Sequence, residues 1–261
     1  MDHLLELTGR AEAAHFWFRG FRRFVAPQLE QIATGRRDLR LIDCGCGTGN
    51  NLRLLKPYGC AVGFDLTRGG SAAAQQAGWA VARADITRIP FAADTFDVAT
   101  SFDVLQCVEP DEIAVREMAR IVKPGGAVVL TVAALEFLRG DHSEAWQEVR
   151  RYTPASARRL LKQAGLRPER VSFMFASTFP LMLAVRAGQR ILRPFRALRH
   201  DTDIAVPVAP VNALLTAVVS AEASLSRRVP MPIGSSLLVV GRKPGVNDTQ
   251  RNRGTIDTPG V

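Results

Sequence analysis

The sequence predicts an α/β domain in which a mainly parallel sheet is covered by helices on both faces. Three observations carry that expectation. Residues 39–52, LRLIDCGCGTGNNL, join a mostly apolar strand to a glycine-rich turn that opens a helix. The run from Leu39 to Ile42 has the character of a strand buried on both sides. About twenty residues on, AVGFDLT (61–67) reads as a second strand ending in Asp65. Beyond it, short strands and amphipathic helices keep alternating, as crossover-linked parallel strands do.

The first turn carries the chemistry. Gly45, Gly47 and Gly49 remove side chains where backbone must approach a ligand. Their spacing is G-x-G-x-G, with Asn50 where a dinucleotide fingerprint would place its third glycine, so a pyrophosphate loses ground to another nucleoside cofactor. Asp43, at the carboxyl end of the first strand, faces the crevice where open α/β sheets bind ligands and can accept from a cationic or amino-bearing partner. Asp65 can take both hydroxyls of a ribose. A third unit follows, with a short strand at 79–84, then Asp85 and Ile86, a loop, and a strand at 96–101 that runs into Phe102 and Asp103. Asp85 can accept from an exocyclic amine, and Ile86 and Phe102 supply flat apolar walls for a base. Asp103 reads equally well as the N-cap of the following DVLQCVEP segment.

Together these segments resemble the class I S-adenosylmethionine-dependent methyltransferases over roughly residues 36–135. The resemblance implies S-adenosylmethionine as cofactor and a seven-stranded, doubly wound Rossmann-like sheet of order 3-2-1-4-5-7-6, the last strand antiparallel. It places Asp43, Gly45, Cys46, Gly47, Gly49 and Asn50 around the methionine part of the cofactor, Asp65 and Leu66 at the ribose, and Asp85, Ile86 and Phe102 at the adenine. Residues 101–108 match the fourth-strand motif that floors the site, and KPGG at 123–126 matches the turn before the fifth strand. One departure is visible: Gln106 and Cys107 stand where related small-molecule enzymes often carry Glu-His.

The remaining elements follow from local signals. A first crossover helix is expected over 50–56, ended by Pro57 and Gly59, and a second over 69–77. Residues 111–122 form a well-punctuated amphipathic helix, acidic at its start and closed by Lys123-Pro124-Gly125. Another helix is expected over 154–164, capped by Thr153 and closed by Gly165. Strands are expected from 171 and over 235–243.

Two regions outside this scaffold bear on the substrate. The leading segment, AEAAHFWFRGFRRFVAPQL, reads as a helix over the mouth of the site, with Phe16 and Phe21 docking it and His15, Trp17 and Arg19 as candidate lid residues. The segment 136–153 leaves the fifth strand where reacting groups are usually placed. Its His142 is the candidate base for a hydroxyl acceptor, with the alternative that it only orders the loop. Arg151 and Tyr152 are candidate substrate contacts, because a guanidinium can hold an anionic group.

The expected organisation is an N-terminal helical cap (1–35), a methyltransferase domain (36–244) with a helical basic insertion (179–232), and a polar, disordered tail (245–261). In the insertion Arg186, Arg190, Arg193, Arg196 and Arg199 recur every three or four residues beside an apolar complement, bent near Pro194, before a second helix over 211–228. Such a hairpin suits a membrane interface through 181–199, a pocket cover or a dimer contact. The 261 residues carry a net charge of +9, compatible with an anionic partner surface, although nothing matches a recognised RNA-binding module and nucleic acid is not expected. Four cysteines without a disulfide-like framework point to a reducing cytoplasm, peripheral at most to the inner membrane face, and their spacing argues against zinc. The expected activity is methyl transfer to a small-molecule or lipid-linked acceptor at oxygen, with carbon or nitrogen methylation or a non-catalytic regulator as alternatives.

Overall fold

The computed structural model describes residues 9, 11–12, 14–192 and 205–245. Its centre is a seven-stranded sheet of order β3-β2-β1-β4-β5-β7-β6. The strands are β1 (Leu39–Cys44), β2 (Gly59–Asp65), β3 (Val81–Arg83), β4 (Phe96–Phe102), β5 (Val122–Ala133), β6 (Arg167–Met174) and β7 (Ser236–Arg242). The first five run parallel, with Leu41 in register with Ala61 on one side and Val98 on the other. β7 inserts antiparallel between β5 and β6, pairing Val129 with Val240. This is the sheet order that the family resemblance implies.

Helices are α1 (Phe16–Ala33), α2 (Leu52–Leu55), α3 (Arg68–Gln76), α4 (Asp111–Ile121), α5 (Asp141–Ala145), α6 (Pro154–Gln163), α7 (Phe179–Leu192) and α8 (Ala209–Ser226). One core, built on Ile42, Ala99, Val128 and Val239, takes Val115 and Met118 of α4 and Leu161 of α6. The other, built on Leu41, Val98, Val129 and Leu238, takes Phe21 and Leu29 of α1, Leu52 of α2 and Val219 of α8. Alternating strand residues feed opposite cores, so near-continuous apolar strands are a requirement of the fold.

The boundaries differ from the sequence reading in places. The first crossover helix is one turn of α2 tightened into a 3₁₀ turn at Lys56–Tyr58, since Pro57 can donate no amide to continue it. β3 is three residues long because it is an edge strand, paired only with Gly63, Phe64 and Asp65. Thr153 caps α6 as expected, accepting from the Ser156 amide. Asp103 does not cap the segment after β4. The residue preceding that 3₁₀ turn (Leu105–Cys107) is Val104, and Asp103 lies in the left-handed region at φ 57°. α7 is described to Leu192, so the expected bend at Pro194, Arg193, Arg196 and Arg199, and the tail after Gly245, lie outside the described residues.

Candidate active site

The carboxyl ends of β3, β2, β1 and β4 line up, and the sequence-selected acids sit there. Asp43 is paired across the sheet with Gly63 of β2 and Thr100 of β4. Its Oδ1 accepts from the Thr100 hydroxyl at 2.7 Å, while Oδ2 is buried and receives no hydrogen bond from the protein. Burial pushes its carboxyl up to about 7 against the opposing effect of Thr100, with Asp65 adding like-charge repulsion. A buried carboxylate oxygen with no protein donor is the chemical counterpart of a cationic or amino ligand.

Asp65 ties the turn to β2. Its Oδ2 accepts from the Gly47 amide at 2.8 Å, and its Oδ1 accepts from the Thr67 amide at 2.8 Å and the Thr67 hydroxyl. Thr67 in turn caps α3. Gly45, Gly47 and Gly49 all have positive φ, at 84°, 52° and 82°. A Cβ on Gly45 would stand 2.5 Å from Val104 Cγ2, so the glycine turn and the chain leaving β4 are in intimate contact. Cys46 is buried in this turn, its amide bonded to the Phe64 carbonyl, and burial raises its thiol far above the ordinary range.

The base-side candidates are arranged less uniformly. Ile86 and Phe102 are buried, whereas Asp85 is exposed and accepts from the amide and hydroxyl of Thr87. Leu66 is 59% exposed beside the ribose acid, an apolar side chain left at the mouth. The Ala84 amide donates to the Asp65 carbonyl at 3.1 Å, which holds Asp85 and Ile86 next to that acid.

α1 reaches this end of the sheet. The Phe21 ring meets Phe102 edge-on at 5.2 Å between centroids, and Trp17 is stacked on both Phe21 and Phe175. His15 is buried as the N-cap, accepting from the Trp17 amide through Nδ1. Arg19 is exposed. Ahead of the helix, Asn50 donates to the Glu12 carboxylate and Arg22 donates to the Glu12 carbonyl, so the leading segment rests on the glycine turn. Burial raises the Glu12 carboxyl, opposed by Asn50 and Arg22.

The segment after β5 is mostly knitted into the protein. Arg151 pairs with Glu148 at 3.0 Å and donates to the Ala134 carbonyl and the Ser143 hydroxyl. Tyr152 is buried and donates to Asp111 at 2.8 Å. His142 lies in the five-residue α5, half-buried, with Trp146 tilted at 6.1 Å. At the end of β4 stands Asp103, which the sequence leaves as a candidate cap and whose amide donates to the Thr131 carbonyl. Its neighbours are Thr131, Gln106, Glu148 and Arg151, and burial pushes its carboxyl up to about 7. The signal that finds it is a non-glycine residue in a left-handed conformation at a strand end, which a sequence does not display.

Comparison with known proteins agrees with this geometry. Residues 42–130 match a family model described as "Methyltransferase domain". A malonyl-[acyl-carrier protein] O-methyltransferase of Enterobacter lignolyticus is 33% identical over 144 residues, 54% of this chain and 57% of that protein. The chain thus spans somewhat over half the length of the curated relatives it matches. Among solved structures, an S-adenosylmethionine-dependent methyltransferase from Mesorhizobium loti aligns with a TM-score of 0.53 at 21% identity, covering 83% of this chain and 96% of that one. The [4+2]-cyclase SpnF aligns with a TM-score of 0.56 at 19% identity over 85% and 81%. That fold alone does not settle chemistry, which resides in the site. Its matched segment, sheet order and glycine turn give residues 42–130 the character of a methyltransferase domain, similar to those of the class I S-adenosylmethionine-dependent methyltransferases.

Proposed function

We propose that this chain binds S-adenosylmethionine at the turn after β1 and transfers its methyl group to an oxygen of a small or carrier- or lipid-linked acceptor. The observation that carries the reading is the hinge of three groups: the Asp43 Oδ2 left without a protein donor, the left-handed glycine turn, and the Asp65 carboxylate that holds the turn through the Gly47 amide. The cofactor fits this set. Asp43 and residues 45–50 hold its cationic amino acid end, Asp65 and Leu66 its ribose, and Asp85, Ile86 and Phe102 its base. When bound, it supplies an electrophilic methyl carbon, and the protein's task is to aim an acceptor lone pair at that carbon.

Two groups able to take a proton stand at the exits of β4 and β5, Asp103 and His142. A hydroxyl acceptor needs one of them. A carboxylate acceptor, such as the free end of a malonyl group, already carries its lone pair and needs neither. The similarity to malonyl-[acyl-carrier protein] O-methyltransferases favours oxygen as the atom methylated and a carrier-linked acyl chain as the acceptor class. Arg151 and Tyr152 support the acceptor wall through their neighbours, and Trp17 and Arg19 close the cap side on a helix whose start His15 caps.

Calorimetric titration with S-adenosylmethionine tests the cradle, with Asp65→Ala expected to remove measurable binding. Turnover is then followed with methyl-labelled cofactor and malonyl-loaded carrier protein. Loss of label transfer to every oxygen acceptor, with cofactor affinity intact, overturns the transferase reading in favour of a cofactor-binding regulator. Asp103→Asn and His142→Ala, assayed on hydroxyl and carboxylate acceptors, decide which proton acceptor is used.

A further inference from the structure

Helix α8 is exposed in a way that water does not favour. It spans Ala209–Ser226, about 27 Å at 1.5 Å per residue. Its only ionisable side chain, Glu222, is buried, accepting from the amides of Ala176 and Ser177 and from the Ser177 hydroxyl. The side chains it buries include Asn212, Glu222 and Ser226, whereas Val211, Leu214, Val218 and Leu225 are 46%, 65%, 39% and 55% exposed. At 100° per residue those four fall within an arc of about 60°. Between them the outward surface holds only Ala and Ser in addition, so one whole side of the helix presents no charge. A water-facing helix normally carries charged residues there.

Charge appears at the margins and is mostly positive, since the exposed acid of α1, Glu30, is paired with Arg37. Arg227 and Arg228 follow the helix and are exposed. α1, which packs along α8 through Gly20 against Val219 and through the Phe16 amide to Asn212, contributes exposed Arg19 and Arg23. α7, the preceding helix, has no acid, exposes Leu181 and Ile191, and carries an exposed Arg190.

We propose that α8 is a docking surface for an anionic phospholipid bilayer, on which the helix lies flat with Leu214 and Val218 in the headgroup boundary and the flanking arginines on lipid phosphates. The pattern is that of an interfacial helix, an apolar stripe edged by cations. No described helix is long and apolar enough to cross a membrane, so contact is along the surface. A second copy of the chain fits less well, because a two-fold pairing would press Arg19, Arg23, Arg227 and Arg228 of both copies together.

The test is co-sedimentation of the full chain with vesicles of phosphatidylcholine alone and with about one third phosphatidylglycerol, at low and high salt. Bound fraction should rise at least tenfold with the anionic lipid and fall with salt. Leu214→Glu with Val218→Glu should lose binding at unchanged thermal stability, since both side chains are already exposed. Arg227→Glu with Arg228→Glu should lose it on anionic vesicles. Three results overturn the proposal: no preference for anionic vesicles, binding indifferent to both double variants, or a dimer in light scattering that Leu214→Glu dissociates. Enrichment of the wild type on a soluble acidic carrier protein, with none on vesicles, overturns it too.

Discussion

The Gly47 amide donates to the Asp65 carboxylate across 2.8 Å, and this one bond joins the glycine turn after β1 to the end of β2. The acid expected to read the ribose therefore also shapes the loop that receives the rest of the cofactor. Because Asp65 additionally accepts from the amide and hydroxyl of Thr67, its removal strands donors on both sides.

Asp65→Ala should thus cost stability as well as affinity, about 1–3 kcal/mol for the donors left without an acceptor. Asp65→Asn keeps one acceptor oxygen and should lie between. Urea unfolding beside calorimetric titration of S-adenosylmethionine checks this; a variant that loses affinity at wild-type stability contradicts the double role.

Asp43 should make cofactor binding depend on pH. Its carboxyl, pushed up to about 7 by burial, must be charged to meet a cation. Affinity should climb up to tenfold per pH unit below 7 and level off above. Stability moves the other way. The folded protein holds a proton that the unfolded chain releases at ordinary carboxylate pH, so this residue's contribution is full at low pH and is lost as pH rises from about 4 through 7. Asp43→Asn should flatten the affinity profile and remove only this residue's share of the stability slope, because Asp103, also pushed up to about 7, contributes in the same direction; Asp103→Asn should leave the affinity profile in place.

Arg151 and Glu148 are both buried and bonded at 3.0 Å. Arg151→Met alone leaves Glu148 uncompensated and should destabilise by about 3–5 kcal/mol, whereas Arg151→Met with Glu148→Leu should recover most of that. Urea midpoints of the two singles and the double measure the coupling. If the double variant is stable and its KM for the acceptor is unchanged, the pair is structural.

Gly45→Ala faces two penalties, its φ of 84° and a Cβ 2.5 Å from Val104 Cγ2. We expect a loss of about 1–3 kcal/mol. Adding Val104→Ala removes the collision and leaves the dihedral cost, so the double variant should regain only part of the loss. Full recovery in thermal unfolding would show that crowding alone makes glycine necessary there.

Much of this protein is written in its local sequence. Two-sided burial forces the apolar runs of β1, β4 and β5, and left-handed backbone at the turn calls for Gly45, Gly47 and Gly49, so both the strands and the cradle are visible as residue types at a spacing. Asp43 and Asp65 were legible for the same reason, since their positions follow from where strands end. Other features depend on which distant segments meet. That Arg151 serves Glu148, Tyr152 serves Asp111, and His15 caps α1 instead of standing open over the mouth is decided by partners chosen in three dimensions. The left-handed Asp103, set between β4, β5 and the segment after it, has no local signature, and α8 turns an apolar stripe outward although composition alone would bury it. Periodicity records what a chain can bury, but only packing decides which of its faces is covered and which buried acid has a cation beside it.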